Sequence, residues 1–122
     1  MDLYREIILD HYKNPRNFGH IEAPSASAEA YNATCGDRIV MELRVNKKRI
    51  IEEVRFSGVG CAISQAAASL LTEKVLGLTA SRVLQMKSQD MLSLVGTTLT
   101  PSRVKCATLP LEVLHKAILS LK

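Results

Sequence analysis

Alternation of apolar and polar residues predicts a three-stranded antiparallel sheet in the first half of the chain. Large apolar side chains occupy every second position from Ile39 to Val45, which is the period expected of a strand with one buried face. Residues 50–56 follow with a weaker form of the same pattern. Residues 25–32 alternate small and polar side chains, so we expect them to add an edge strand.

A different spacing, with apolar residues three or four positions apart, predicts helices before and after these strands. The first is an amphipathic helix that begins near Leu3 and ends before Pro15, because proline disfavours helical geometry at Asn14. A second helix covers residues 61–71 and ends near Gly77. It is rich in alanine and serine, and we interpret these small side chains as a surface for close packing.

Capping residues indicate further helices in the second half of the chain. Thr79 and Ser88 are predicted N-caps of two short helices, and Gly96 ends the second of these. Thr100 before Pro101 predicts another helix start, since proline is favoured at the first helical position. A terminal amphipathic helix carries one apolar line, formed by Leu109, Val113, Ala117 and Leu121. Strands grouped before helices favour an α+β fold with about five helices.

The length of the chain and its cysteines set further limits. The chain has 122 residues, so we expect residues 1–122 to form a single domain around one core. No apolar run approaches the roughly 18 to 20 residues that a membrane helix needs, and no membrane association is predicted. Three cysteines far apart in sequence cannot all pair, and the first residues do not resemble a secretory leader. We therefore expect a cytoplasmic protein with reduced thiols.

The charge distribution gives little reason to expect nucleic-acid binding. The net charge is +4, and the densest basic cluster is Lys47-Lys48-Arg49, with few aromatic residues to stack on bases. This cluster follows the turn residue Asn46 between two apolar runs, so we interpret it as a solvated turn. A mildly positive surface also suits an acidic protein partner.

Each of the three cysteines is predicted at a point where the chain changes direction. Cys35 lies beside Gly36 after the first strand, Cys61 at a strand-to-helix junction, and Cys106 between helical segments. Loops and helix ends expose thiols more often than apolar runs do. The free N–H groups of a helix N-terminus favour a thiolate at Cys61, and Lys105 is a candidate to do the same for Cys106.

The residues around Cys35 add a candidate oxygen ligand. Gly36 permits a tight turn, so the Cys35 thiolate and the Asp37 carboxylate are able to point at one ion. Together with Cys61 and Cys106 they would form a tetrahedral site for zinc or iron. No Cys-x-x-Cys pair is present, however, and spacing alone leaves separate, unreactive thiols as the alternative.

Four segments of the chain resemble the motifs of the iron–sulfur cluster scaffold family, which comprises IscU, SufU and the NifU N-terminal domain. Three of them contain the cysteines, in the same order and with similar spacing. The fourth is the family's N-terminal motif, so the resemblance spans nearly the whole chain. The four segments are residues 10–19, residues 32–37 with Cys35-Gly36-Asp37, residues 58–64 with Gly60-Cys61-Ala62, and residues 103–109 with Arg103-Val104-Lys105-Cys106.

This resemblance implies a fold and a function. The fold is a three-stranded antiparallel sheet with helices packed on one face and the cysteines at one exposed end. A pyridoxal-phosphate cysteine desulfurase delivers persulfide sulfur, iron joins it, and a [2Fe-2S] cluster is assembled and passed to acceptor apo-proteins. Carried over, Cys35, Cys61 and Cys106 are ligands of the cluster or of iron, Asp37 is the labile fourth ligand, and Cys35 and Cys106 are candidate persulfide acceptors.

Two departures from the family motifs leave the branch open. Lys105 stands where IscU members have a histidine, and residues 103–109 resemble SufU members, but the chain lacks the SufU insertion between the second and third cysteines. Residues 99–103 keep only part of the Leu-Pro-Pro-Val-Lys segment that recruits a specialised chaperone in the IscU branch, so a chaperone interaction is in doubt. Arg103 and Lys105 are predicted as auxiliary site residues.

Two other functions remain compatible with the same four ligands. The first is a SufU-type zinc-dependent carrier that transfers persulfide sulfur, a sulfurtransferase-like role, whereas a scaffold is not an enzyme. The second is a structural zinc-binding adaptor without sulfur chemistry. A cysteine hydrolase is disfavoured, because His11, His20 and His115 lie in segments that give no reason to pair with a particular cysteine.

Overall fold

The computed structural model describes residues 3–33, 36–96 and 99–121, apart from the side chain of Tyr4. These described residues form three strands and five helices. The strands are β1 (Ala26–Asn32), β2 (Asp37–Val45) and β3 (Ile51–Val59). The helices are α1 (Leu3–Lys13), α2 (Ala62–Val75), α3 (Ala80–Leu84), α4 (Ser88–Val95) and α5 (Pro101–Leu119).

The strands form one antiparallel sheet in the order β1-β2-β3, as predicted. Ile39, Met41 and Leu43 are completely buried on one face of β2, which confirms the alternation. Helices α5 and α2 pack on this face, while α1 and α4 pack on α2. The α+β fold with helices on one face of the sheet is therefore confirmed. Ala66, Ala67 and Ala68 of α2 are also fully buried, which confirms the interpretation of its small side chains as packing residues.

Strand β3 is longer than the sequence pattern predicted, because it continues past Phe56 to Val59. Gly58 pairs with Ile39 inside the sheet. A Cβ at Gly58 would lie 1.9 Å from the carbonyl oxygen of Arg38, so glycine is required here by close approach of the two strands. This extension carries the chain to Gly60 and Cys61 at the end of the sheet.

The helix boundaries include one small and one important correction. The N-cap of α4 is Lys87 and not Ser88, because the Asp90 carboxylate reaches back to accept a 2.7 Å hydrogen bond from the Lys87 N–H. The predicted caps Thr79, Thr100 and Gly96 are confirmed. Cys106 does not lie between helical segments: it is in the second turn of α5, which runs without interruption from residue 101 to residue 119.

The basic cluster at residues 47–49 is a solvated turn, as predicted. All three side chains are exposed, and Asn46 Oδ1 accepts hydrogen bonds from the N–H groups of Lys48 and Ile50 at 2.9 and 3.1 Å. No helix in the described part of the chain combines the length and apolar character needed to cross a bilayer.

Polar contacts fasten α1 and the loop after it to α2. Ser69 is fully buried, and its Oγ lies 2.7 Å from His11 Nδ1 and accepts the Arg16 N–H at 2.9 Å. One turn along α2, the buried Thr72 Oγ1 accepts a hydrogen bond from Asn17 Nδ2 at 3.1 Å. The N-terminal motif around residues 10–19 therefore has a structural role at the end of α2 distant from Cys61.

Candidate metal centre

Asp37 begins β2 and is completely buried. Its Oδ1 accepts a 2.9 Å hydrogen bond from the backbone N–H of Cys61, so the carboxylate joins β2 to the start of α2. Gly60 makes this contact possible, because a Cβ at that position would lie 2.7 Å from Asp37 Oδ1 and 2.3 Å from Ser64 Oγ. The sequence motif around Gly60 thus reflects the space that the buried carboxylate occupies.

Cys61 is the N-cap of α2, at the strand-to-helix junction that the sequence predicted. The hydroxyl of Ser64 donates to the Cys61 carbonyl at 3.1 Å, and its Oγ lies 3.8 Å from Cys61 Sγ. Burial raises the pKa of the Cys61 thiol, and the Asp37 carboxylate raises it as well. Hydrogen bonds from the Ser64 N–H, from Cys106 and from the Ser64 hydroxyl outweigh both effects, so the pKa of Cys61 lies below its usual value.

Cys106 approaches the same point from α5. It is 1% exposed, and its Sγ lies 3.7 Å from the carbonyl oxygen of Ser102, one turn earlier. No disulfide joins Cys61 to Cys106. One ligand atom from each of Asp37, Cys61 and Cys106 lies within 4.8 Å of the other two. The structure therefore brings together three of the four residues that the sequence predicted as a site.

The remaining predicted ligand, Cys35, lies outside the described residues. Its neighbour Gly36 is described, and the Gly36 N–H donates to the carbonyl oxygen of Asn32 at 2.8 Å. Gly36 has a φ of 74°, which is the left-handed geometry that the sequence analysis required of a tight turn before Asp37. The first cysteine motif thus connects β1 to the end of β2 where Asp37 lies.

The cation that interacts with the thiols of Cys61 and Cys106 is Arg103, whereas the sequence pointed to Lys105. The pKa of the Arg103 guanidinium is raised, first by the charge of Cys61 and then by hydrogen bonding to Cys61 and by the charge of Cys106. Lys105 instead faces a groove with Tyr31 and Leu109. Sequence analysis predicted that Lys105 favours a thiolate at Cys106. Among the described residues, Arg103 is instead the cation in that position. Arg103 and Cys106 both lie in α5, which begins at Pro101. They are three residues apart, so their side chains share one side of the helix.

The histidines have other partners. His11 Nδ1 contacts Ser69, His20 Nδ1 lies 2.8 Å from Glu42 Oε1, and His115 Nε2 lies 2.8 Å from the carbonyl oxygen of Val83. Each of these contacts is consistent with a packing or surface histidine, as predicted.

The chemistry of the donor set fits zinc or iron. Thiolates are preferred ligands for zinc and for iron–sulfur centres, and zinc also accepts a carboxylate oxygen. An ion bound tetrahedrally by sulfur at about 2.3 Å keeps its ligand atoms about 3.8 Å apart. The ligand atoms of Asp37, Cys61 and Cys106, all within 4.8 Å of one another, are therefore close to the positions they would take around one ion.

Known proteins are similar to this chain over most of its length. The zinc-dependent sulfurtransferase SufU of Bacillus subtilis (strain 168) is 37% identical, over 95% of this chain and 89% of its own length. The iron–sulfur cluster assembly scaffold protein IscU of Aquifex aeolicus is 38% identical, over 94% of this chain and 73% of its own length. The IscU of Escherichia coli (strain K12) is 32% identical, over 98% of this chain and 94% of its own length.

Solved structures share the fold. The crystal structure of SufU from Fervidobacterium islandicum AW-1 superposes with a TM-score of 0.81 and is 28% identical, with 93% of this chain and 94% of that chain covered. The N-terminal part of a NifU-like protein from Brucella abortus has a TM-score of 0.78 at 20% identity, which supports the fold alone. Residues 3–122 match the family model described as the NifU-like N terminal domain, and the chain belongs to that family.

Proposed function

We propose that this chain is a scaffold for iron–sulfur cluster assembly. It accepts persulfide sulfur from a cysteine desulfurase, binds iron, assembles a [2Fe-2S] cluster and transfers it to acceptor apo-proteins. The observation that carries this proposal is the convergence of the buried Asp37 carboxylate with the thiols of Cys61 and Cys106 at one end of the sheet. Relatives named as IscU scaffolds, which cover most of the chain, support it.

Within this proposal, Cys35, Asp37, Cys61 and Cys106 are the ligands of the cluster or of iron. Thiolates suit iron–sulfur chemistry, and a carboxylate is a harder and weaker ligand for the same iron. Asp37 is therefore the ligand that a scaffold releases first when it hands on its cluster. We include Cys35 because it comes two residues before Asp37 in the sequence, and Asp37 lies at this end of the sheet.

A SufU-type zinc-dependent sulfur carrier is the second candidate function. Two observations favour it: the ligand atoms of Asp37, Cys61 and Cys106 are spaced for one ion, and Arg103 and Lys105 match the SufU motif before the third cysteine. The relative named as a zinc-dependent sulfurtransferase is 37% identical to the chain. In this case zinc would stay bound while sulfur passes through the site, and the protein would act as a sulfurtransferase and not as a scaffold.

The experiment that separates the two is anaerobic incubation of the metal-free and the zinc-loaded protein with iron, cysteine and a desulfurase. A scaffold develops the visible absorption of a [2Fe-2S] cluster and contains iron and sulfide in equal amounts. A carrier retains zinc and raises the turnover of the desulfurase without forming a cluster. If neither occurs and zinc remains bound, the protein is a structural zinc-binding adaptor.

Two broader features belong to the same proposal. Residues 1–122 form one domain, since α1, α2, α4, α5 and the sheet contribute to one cluster of buried apolar residues. The protein works in the cytoplasm, where thiols remain reduced and are able to bind metal and sulfur.

A further inference from the structure

Ser64 is a buried hydroxyl beside the candidate metal centre that the ligand set does not include. It lies three residues after Cys61 in the first turn of α2 and is 0% exposed. Its Oγ lies 3.1 Å from the carbonyl oxygen of Cys61 and 3.8 Å from Cys61 Sγ. A Cβ at Gly60 would lie 2.3 Å from this Oγ and 2.7 Å from Asp37 Oδ1, so the hydroxyl and the carboxylate share one closely packed space.

The Ser64 hydroxyl has one hydrogen and two acceptors within reach. In the structure it donates to the Cys61 carbonyl, and the Cys61 thiol donates its own proton to Ser64 Oγ. A metal ion binds cysteine as the thiolate, so this proton leaves when the site is loaded. Cys61 Sγ then has no hydrogen to donate and carries negative charge. A hydrogen bond to an ionised acceptor is about twice as strong as one between neutral groups, so the sulfur becomes the better acceptor.

The Cys61 carbonyl does not depend on the Ser64 hydroxyl. It also accepts a 3.1 Å hydrogen bond from the Gln65 N–H, four residues along α2. The hydroxyl is therefore able to turn away without leaving this carbonyl oxygen unpaired. Because Ser64 is fully buried, bulk water does not compete for its hydrogen.

We propose that Ser64 is a positioning residue for the ligand sulfur of Cys61. When the site holds metal, the Ser64 hydroxyl turns from the Cys61 carbonyl and donates to Cys61 Sγ. This inference rests on the part of the proposed function that makes Cys61 a metal ligand, and it applies to the scaffold and to the zinc carrier alike.

A hydrogen bond to a ligand sulfur changes the chemistry of that sulfur. It draws negative charge away from the metal–sulfur bond, and such bonds are among the factors that set the reduction potential of an iron–sulfur cluster. It also makes the sulfur a weaker nucleophile. Ser64 thus favours Cys61 as the ligand that holds metal, and Cys35 and Cys106 remain the candidate persulfide acceptors.

Ser69 provides a matched control. It is a second fully buried serine of α2, but its Oγ contacts His11 and Arg16 at the end of the helix distant from Cys61. A general effect of removing a buried hydroxyl from α2 would follow either substitution. Loss of a hydrogen bond to the ligand sulfur would follow Ser64→Ala alone.

The test loads the wild type, Ser64→Ala, Ser64→Thr and Ser69→Ala with cobalt(II), which takes the place of zinc in thiolate sites and absorbs light. The sulfur-to-cobalt charge-transfer band moves to longer wavelength when the sulfur lone pairs are less stabilised. We therefore expect a shift to longer wavelength in Ser64→Ala. Ser64→Thr keeps the hydroxyl and should retain the wild-type band. Ser69→Ala should also retain that band, although it lowers the urea midpoint.

A crystal structure of the zinc-loaded wild type is a second test that needs no variant, and it decides the matter if Ser64→Ala does not fold or binds no cobalt. We expect Ser64 Oγ to lie closer than 3.8 Å to Cys61 Sγ and farther than 3.1 Å from the Cys61 carbonyl oxygen. The inference is overturned if the hydroxyl still donates to the carbonyl with zinc bound. It is also overturned if Ser64→Ala keeps the wild-type cobalt band, or if Ser69→Ala shifts the band as much.

Failure of the Ser64 inference and failure of the proposed function give different results. If the cobalt band responds as expected but the chain assembles no cluster and accepts no persulfide, the proposed function fails and the role of Ser64 stands. If a cluster forms and Ser64→Ala leaves the cobalt band unchanged, only the role of Ser64 fails. A wild type that binds no metal refutes both.

Discussion

The backbone N–H of Cys61 donates a 2.9 Å hydrogen bond to Asp37 Oδ1, so one candidate metal ligand positions another. Asp37 is fully buried at the start of β2, and Cys61 is the N-cap of α2. The carboxylate therefore holds the sheet to the helix in addition to any role in binding metal. These two tasks respond differently to substitution. Holding the sheet to the helix needs only an oxygen acceptor, whereas binding metal also needs negative charge.

We predict that Asp37→Asn and Asp37→Ala separate the two tasks. The amide oxygen introduced by Asp37→Asn would still accept the Cys61 N–H, so this variant should fold with nearly normal stability but bind metal more weakly. Asp37→Ala leaves that N–H unsatisfied and should lower the free energy of unfolding by about 1–3 kcal/mol. Urea unfolding measures the free energy of unfolding of both variants, and competition with a zinc chelator measures their metal affinity.

If Asp37 is the labile ligand, both variants should also slow transfer of a reconstituted cluster to an acceptor apo-protein. Absorption changes during transfer give the rate. A release rate equal to that of the wild type would contradict the role assigned to Asp37, even where metal affinity has fallen.

Gly60→Ala should disturb the site through steric contact alone. The added Cβ would lie 2.3 Å from Ser64 Oγ and 2.7 Å from Asp37 Oδ1, both closer than packed atoms approach. We expect an unfolding free energy lower by about 1–3 kcal/mol and weaker zinc binding, because the carboxylate has to move. The double variant Gly60→Ala with Ser64→Ala should recover part of the loss, since it removes the shorter contact. Equal stability of single and double variants would show that Ser64 is not the obstacle.

The sequence was sufficient to predict the elements but not the details of the site. Alternation gave β2 because one face of that strand is fully buried, and proline and glycine marked the ends of α1 and α4. The end of β3 was missed because Gly58, which looks like a turn residue, lies inside the sheet. A glycine required by close strand approach and a glycine in a turn are identical in a single sequence.

The choice between Arg103 and Lys105 could not be made from adjacency in sequence. Lys105 precedes Cys106 directly, but neighbours on a helix point about 100° apart, whereas a residue three positions away lies on the same side. Once α5 is known to begin at Pro101, Arg103 is the expected neighbour of Cys106. Cys106 was predicted between helical segments because the helix start at Pro101 and the terminal amphipathic helix were treated as separate, whereas α5 joins them.

We predict that α2 tolerates no enlargement of its buried small residues. Ala67 is 0% exposed in the helix that packs against α1 and α5. Ala67→Leu should therefore lower the free energy of unfolding by about 1–3 kcal/mol, because the neighbouring helices have to separate. Lys74→Leu is a matched control on the same helix, since Lys74 is exposed, and it should change the free energy by less than about 0.5 kcal/mol. Urea unfolding at one pH compares the two.

Stability should depend on the protonation of His11, which fastens α1 to α2. Burial lowers the pKa of His11, Arg16 lowers it further, and the charges of Glu73 and Asp10 oppose this only in part. Because the folded pKa lies below that of the unfolded chain, the unfolded chain takes up a proton first as the pH falls. Neutral His11 thus contributes fully to stability well above pH 6.5, the usual pKa of histidine. This contribution is lost as the pH falls through 6.5 toward the lower pKa of His11 in the folded protein.

The measurement is the free energy of unfolding in urea from pH 7.5 to pH 5.5 for the wild type and His11→Gln. Glutamine is able to hydrogen-bond to Ser69 but does not titrate, so the variant should lose stability less steeply over this range. The two proteins differ only at residue 11, so a difference between their pH profiles is assigned to His11. Parallel pH profiles would mean that protonation of His11 does not oppose its contact with Ser69, and the buried contact would then be insensitive to charge.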